Sequence, residues 1–179
     1  MYPLVTKFAR LLFLCFLPLL IISSTGKDIM LITPLEVGTH SLNIIAGAEN
    51  QLLVGNMSFG VNNQLSYKDE QFSILKLCFT GSGVKEAYAM ELLISKKNSS
   101  NQTVLGHYKV ENIDSFLTPF DGVFGAFSSV ELGQKAFFAS SGAVQITHFD
   151  KNRVVGKIDL KFKDNSGKEF SINGAFDAR

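Results

Sequence analysis

Three histidines, His40, His107 and His148, are the residues best suited to acid–base or metal chemistry, and they lie far apart in the sequence. A metal site needs several converging ligands, and no short ligand pattern of His, Cys or carboxylate accompanies any of them. An enzyme site would have to be assembled across strands, from residues such as His107, His148 and Asp150. The sequence gives no catalytic residue, metal ligand or cofactor motif, which favours a non-enzymatic protein and leaves a hydrolase-type enzyme as the alternative.

An apolar site is the second possibility. Four phenylalanines recur at helical spacings: Phe116, Phe120, Phe124 and Phe127. Because Pro119 and nearby glycines interrupt any long helix, residues 112–135 predict a short turn or helix and then a loop that covers the end of the core. A more specific interpretation is that this loop forms an apolar lid over a ligand cavity. The four phenylalanines, together with His148, are therefore the candidate ligand-binding residues.

The first 26 residues predict a secretory signal peptide. Lys7 and Arg10 precede an apolar run over residues 11–22, and small residues follow at 23–26. The run is short for a membrane span, which needs about 20 residues. We expect export to the periplasm or the extracellular space, with residues 27–179 forming a single domain without a membrane span. Anchoring by an uncleaved signal is the minor alternative.

The composition excludes some classes of partner. The chain has 17 basic and 16 acidic residues, and this near-neutral balance argues against nucleic acid as a partner. With no Trp, the 16 Phe residues must supply most of the large core side chains. Asn56, Asn98 and Asn101 stand in N-x-S/T patterns, which are glycan acceptors in a eukaryotic secretory pathway and ordinary turn residues in a bacterial periplasm. We favour the second interpretation.

The elements that must position these residues are strands, and the C-terminal forty residues show this best. Apolar and polar residues alternate along two runs there: Ile158, Leu160 and Phe162 opposite Lys157, Asp159 and Lys161, then Phe170, Ile172 and Phe176 opposite Glu169, Ser171 and Asn173. Tight turns are predicted at residues 150–153 and 164–167. We expect an all-β fold, an antiparallel sandwich or partly open barrel of about eight to ten strands that ends in a three-stranded meander.

This C-terminal region resembles small exported bacterial β-domains of the lipoprotein type, whose function is unknown. The matching positions are Ser141, Gly142, Val144, Ile146, Thr147, Phe149, Gly156, Gly167 and the Gly174-Ala-Phe176 end. The resemblance implies an exported β-domain and no activity. Two departures are visible, since the chain lacks a lipidation cysteine at the expected mature N-terminus and carries Lys157 where the family usually has a small polar residue.

These observations support one leading hypothesis, a non-enzymatic ligand-binding or envelope-accessory β-domain. Its partner would be a small apolar ligand or an envelope component. Besides the hydrolase, a structural or adhesive surface module that self-associates through an exposed strand edge is a further alternative. The sequence leaves the oligomeric state open.

Overall fold

The protein is built from antiparallel β-strands, as seen in a computed structural model that describes residues 35–67, 70–81, 87–97, 104–111 and 121–179. Nine strands and no helix lie in these ranges. The strands are β1 (Thr39–Ala46), β2 (Glu49–Tyr67), β3 (Glu70–Gly81), β4 (Tyr88–Lys97), β5 (Gly106–Lys109), β6 (Gly122–Ser129), β7 (Phe137–Phe149), β8 (Val154–Lys163) and β9 (Glu169–Ala178). The predicted all-β antiparallel class is confirmed.

The sheet closes into a barrel of eight strands. Its order runs β7-β6-β4-β3-β2-β1-β9-β8, and β8 pairs back onto β7. The short strand β5 lies outside this ring and pairs with β7 alone among the named strands. Of the two predicted architectures, the barrel is therefore the observed one, and its ring is closed rather than partly open.

Strict alternation of side chains determines which face of each strand is buried. Along β8, Ile158, Leu160 and Phe162 are buried, while the alternating residues Lys157, Asp159 and Lys161 are exposed. On β9, Phe170, Ile172 and Phe176 are buried in the same way. Because a slip of one residue would move every one of these side chains to the other face, the register of the meander is strongly determined. The predicted three-stranded meander, β7 to β9, is confirmed.

Aspartates form the two turns of the meander. The Asp150 carboxylate accepts the N–H of Asn152, and the backbone of Asp150 bonds to that of Arg153. In the second turn the Asp164 carboxylate accepts the N–H groups of Ser166 and Lys168. Side-chain acceptance of backbone N–H groups is the reason that Asp is favoured at such positions. Both predicted turns are therefore present with the expected chemistry.

One predicted segment differs from the structure. Residues 122–129 form strand β6 rather than part of a loop, and Phe124 and Phe127 lie on that strand. The spacing of three between Phe124 and Phe127 fits a helix, but in a strand an odd spacing places two residues on opposite faces. Phe127 is accordingly buried, and Phe124 is only partly buried. Phe116, Phe120 and the predicted signal peptide lie outside the described residues.

We expect Gly142→Ala to destabilise the fold by roughly 2–4 kcal/mol. Gly142 on β7 has φ of 105°, and a Cβ there would collide with the Asp159 carbonyl oxygen on β8. Left-handed strain and overpacking each cost about 1–3 kcal/mol. Chemical denaturation measures the change. Gly60→Ala, where a Cβ meets nothing within 4 Å, is the matched control and should change stability by less than about 1 kcal/mol. Equal stability of the two variants would contradict this account of the β7–β8 pairing.

Candidate functional site

A cavity of about 310 Å³ lies at one end of the barrel. It is bounded by the β1–β2 hairpin, the start of β4, the end of β6 with the turn that follows it, and the β8–β9 turn. The lining residues are Ile44, Ala46, Glu49, Gln51, Leu53, Ala87, Tyr88, Phe127, Ser129, Glu131, Leu132 and Lys168. We refer to this cavity as the mouth pocket. Eight-stranded barrels have an interior that either is filled by side chains or holds one small ligand.

Phenylalanines fill the barrel next to the mouth pocket. Phe127 is 2% exposed and contacts Phe170 edge to face, with ring centroids 5.2 Å apart. Phe170 in turn packs against Phe137 and Phe162, at centroid distances of 5.0 and 5.6 Å. Such aromatic pairs add stability beyond their buried area. The pocket is therefore limited to the end of the barrel, because packed rings occupy the interior beyond Phe127.

A buried histidine supports one wall of the mouth pocket. His40 on β1 is 1% exposed, and its Nε2 forms a hydrogen bond with the Tyr88 hydroxyl. Its ring also meets Phe79 and Tyr88 edge to face. Burial lowers the pKa of His40 to about 4, with the nearby Asn56 carbonyl opposing the shift. The imidazole is therefore neutral near pH 7, and it orients the tyrosine that lines the pocket.

His40 also carries an unsatisfied atom. Its Nδ1 is buried and has no hydrogen bond of good geometry within the described part of the chain. Leaving a buried polar atom unpaired costs about 1–3 kcal/mol. The other ring nitrogen, Nε2, is the one through which His40 contacts the pocket residue Tyr88.

The turn after β6 brings Leu132 to the pocket. The Ser129 hydroxyl accepts the N–H of Leu132 at 3.1 Å, and the Ser129 carbonyl accepts the N–H of Gln134 at 2.9 Å. At the base of this turn, Val130 N–H donates to the Ala87 carbonyl at the start of β4. The turn is thus fixed by the Ser129 hydroxyl, by a backbone bond within it and by one to Ala87, and it places Leu132 in the wall of the pocket.

The rim of the mouth pocket is polar and mixed in charge. It carries two carboxylates, Glu49 and Glu131, and one ammonium group, Lys168. Gln51 and Ser129 add uncharged hydrogen-bonding groups. Ile44, Leu53 and Leu132 supply apolar wall beneath this rim. An apolar wall with a few polar groups is the usual lining of a small-molecule site.

The structure separates the sequence-predicted site residues. Phe127 lines the mouth pocket, whereas Phe124 packs against Phe138, at a centroid distance of 6.0 Å. Phe138 is among the exposed large apolar residues, so this pair lies on the outer surface. Phe116 and Phe120 lie outside the described residues. Of the predicted phenylalanine cluster, one member is at the pocket and a second is away from it.

His148 lies at the other end of β7, away from the mouth pocket. It does not continue the buried face of Val144 and Ile146, because the register between β7 and β8 shifts between Ile146 and His148. Its Nε2 lies 2.8 Å from the Asp150 carboxylate, and both side chains are about half exposed. This pair and the Asn152 N–H lower the pKa of Asp150. The histidine is a surface partner of a turn aspartate.

An enzyme site would need His107, His148 and Asp150 close together, and the structure brings together two of the three. His148 meets Asp150, while His107 on β5 is exposed and lies opposite Gln145 in the β5–β7 ladder. In the ranges that the structure describes, no three potential metal-binding side chains form a group. Across the same ranges, no helix has the length and apolarity that a membrane crossing needs.

Sequence reasoning named His40 among the three histidines that could do chemistry, but it did not place His40 or Tyr88 at a ligand site. Both begin an alternating run, His40 before Leu42 and Ile44, and Tyr88 before Met90. That period of two was the available signal, since it places the imidazole and the phenol on the buried faces of their strands. Their contact with each other could not be read from the sequence, because 48 residues separate them.

No protein-family model matches the chain, and no curated protein and no solved structure matches it either. The resemblance of the C-terminal region to exported lipoprotein-type domains therefore stays a prediction.

We expect acid to destabilise the protein through His40. An imidazole with a pKa of about 4 in the folded state and 6.5 in the unfolded state binds a proton more readily when unfolded. Stability from this group is complete above pH 6.5 and is lost as the pH falls towards 4. The loss is on the order of 2–3 kcal/mol. Denaturation midpoints from pH 7 to pH 4 measure it.

The control for this prediction is His40→Gln, which keeps a hydrogen-bonding group next to Tyr88 and cannot titrate. The surface carboxylates contribute equally to both proteins, so the difference between the two pH profiles reports His40 alone. Parallel profiles would show that His40 does not titrate differently in the folded state.

Proposed function

We propose that the protein is a non-enzymatic binding protein that takes up one small, largely apolar molecule at the open end of its barrel. The observation that carries this proposal is the mouth pocket itself, about 310 Å³ in volume and lined by apolar side chains beneath a polar rim. Ligand sites typically occupy about 300–1,000 Å³ and often lie in the mouths of β-barrels. The pocket is at the small end of that range, which favours a single compact ligand.

The lining indicates the chemistry of the ligand. Its apolar body would contact Ile44, Leu53 and Phe127, and each methylene removed from water there contributes about 0.8 kcal/mol. Its polar group would lie at the rim, where Lys168 can meet an acidic group and Glu49 or Glu131 a donor. A molecule with one apolar end and one polar end satisfies both parts of the pocket.

The arrangement supports binding better than catalysis. The imidazole nearest to the pocket, His40, is buried behind Tyr88 and is neutral, so it cannot reach a molecule at the rim. A general base must lie within hydrogen-bonding distance of the proton that it abstracts. The other imidazole–carboxylate pair, His148 and Asp150, is an exposed pair in a turn and is not part of the pocket lining.

The cellular setting of this proposal rests on the sequence. The basic residues, apolar run and small residues of the first 26 positions support export to the periplasm or the extracellular space. An exported binding domain of this kind would serve the cell envelope by holding a small apolar compound there. The proposed ligand class does not depend on this setting, because it follows from the pocket lining.

The pocket is tested by filling it. We expect the full chain to bind the fluorescent probe N-phenyl-1-naphthylamine saturably, and Ala46→Trp to weaken that binding at least tenfold. Ala46 ends β1 and lines the mouth pocket, so an indole there would occupy the space of the probe. Fluorescence titration gives both dissociation constants.

The matched control is Ala48→Trp, in the same hairpin but outside the pocket lining. It introduces the same indole and should leave the affinity unchanged. Equal weakening in the two variants would mean that the probe binds elsewhere on the hairpin. A wild-type chain that does not bind the probe saturably would contradict the proposed function.

A further inference from the structure

Strand β2 is much longer than its neighbour β1, and this difference leaves one of its edges open. The β1–β2 ladder ends where Thr39 lies opposite Asn56. On its other side, β2 continues to pair with β3 as far as Tyr67 opposite Glu70. Beyond Met57, the edge of β2 that would face β1 therefore has no partner strand among the described residues.

The backbone groups on this edge can be assigned. Met57 donates its N–H across the edge to the Gly38 carbonyl at 2.8 Å. Successive residues of a strand point their N–H and C=O groups to alternate sides, so those of Phe59 and Val61 point the same way as those of Met57. We call residues 58–61 the open edge. Three of its four residues are accessible, since Ser58 and Gly60 are exposed and Val61 is 38% exposed, while Phe59 is partly buried.

The open edge lacks the usual protection against strand addition. Natural edge strands carry charged residues, especially Lys, or Pro, which prevent pairing with another chain. Residues 50–67 contain no Asp, Glu, Lys, Arg or Pro. The register shift between Asn62 and Leu65 comes only after the open edge. Residues 58–61 therefore present a regular, uncharged template for a further strand.

We propose that the open edge pairs with the same edge of a second copy of this chain. Antiparallel pairing of one edge with itself places identical residues about a two-fold axis, which gives a closed dimer. A charged edge would repel its own copy, whereas this uncharged edge does not. The N–H and C=O groups of Phe59 and Val61 would then be satisfied by those of the second copy.

This dimer is independent of the mouth pocket. Neither Phe59 nor Val61 lines that pocket, and none of the pocket residues belongs to the open edge. A variant at the open edge should therefore leave probe binding unchanged. For the same reason, failure of the dimer and failure of the proposed ligand binding can be told apart.

Val61→Pro tests the proposal. Proline removes the N–H that points to the open edge and leaves the β2–β3 ladder bonds of the neighbouring residues in place. Sedimentation velocity of the full chain across a hundredfold concentration range should show a monomer–dimer equilibrium. The variant should weaken dimerisation at least tenfold and keep the probe affinity of the wild type.

Two further variants make the test independent of a folding defect. Val61→Lys keeps the N–H but brings two like charges close to the two-fold axis, and it should also weaken dimerisation at least tenfold. Val61→Thr keeps the size, branching and backbone, and should dimerise like the wild type. A wild-type chain that stays monomeric throughout the range overturns the proposal. A dimer that persists in both Val61→Pro and Val61→Lys also overturns it, because the contact would then lie elsewhere.

Discussion

Closure of the sheet at β7 is the constraint on which the rest of the molecule depends. β6 and β7 pair through only two residue pairs, Ala126 with Phe138 and Phe127 with Phe137. β8 holds the other side of β7 along most of its length, and β5 pairs with the part of β7 that β6 leaves. The 13-residue strand β7 therefore pairs with three neighbouring strands. Without that short contact, the ring would be open between β6 and β7.

The closed ring explains why the mouth pocket lies at one end of the barrel. The interior of an eight-stranded barrel is just wide enough for side chains to fill. Here phenylalanines do so, and Phe79 and Phe176 pack edge to face at 5.8 Å next to His40. A side chain at Gly125 would meet Leu92 and Ala139, which shows how tightly the wall near β6 is packed. In the described part of the barrel, the mouth pocket lies where the strands end and the turns begin.

The sequence predicted the meander well because its information is local. Two kinds of local signal predicted it: the alternation of Ile158, Leu160 and Phe162, and the turn-forming Asp150 and Asp164. Each signal depends on residues only a few positions apart, so the sequence pattern predicts the local structure directly. Closure could not be predicted in the same way. The pairing of β1 with β9 joins residues more than a hundred positions apart. Neither strand carries a sequence signal that identifies the strand with which it pairs.

The candidate site was predicted less well, and the reasons are physical. β6 was missed because its phenylalanines fall on both faces and its glycines interrupt the strand pattern. A Cβ at Gly125 would lie 2.7 Å from Leu92 Cδ2, so the glycine accommodates a close neighbour on β4. His148 was predicted to bind a ligand, but it lies half exposed at the surface after a shift in register between β7 and β8. His40 and Tyr88 could not be paired from sequence, since their contact depends on the stagger of the closed barrel. Among the predicted residues that the structure describes, Phe127 alone lines the pocket.

Unequal strand lengths produce the open edge, and the mouth pocket lies at the opposite end of the same two strands. β1 has 8 residues and β2 has 19, so the wall formed by β1 is short and β2 extends beyond it. At one end, the short β1–β2 hairpin forms part of the rim of the mouth pocket. At the other, the excess of β2 presents backbone groups that no described strand satisfies. A longer β1 would pair with residues 58–61 and would remove the open edge without changing the residues that line the pocket. The two features are therefore separable, and the length of β1 controls only the second.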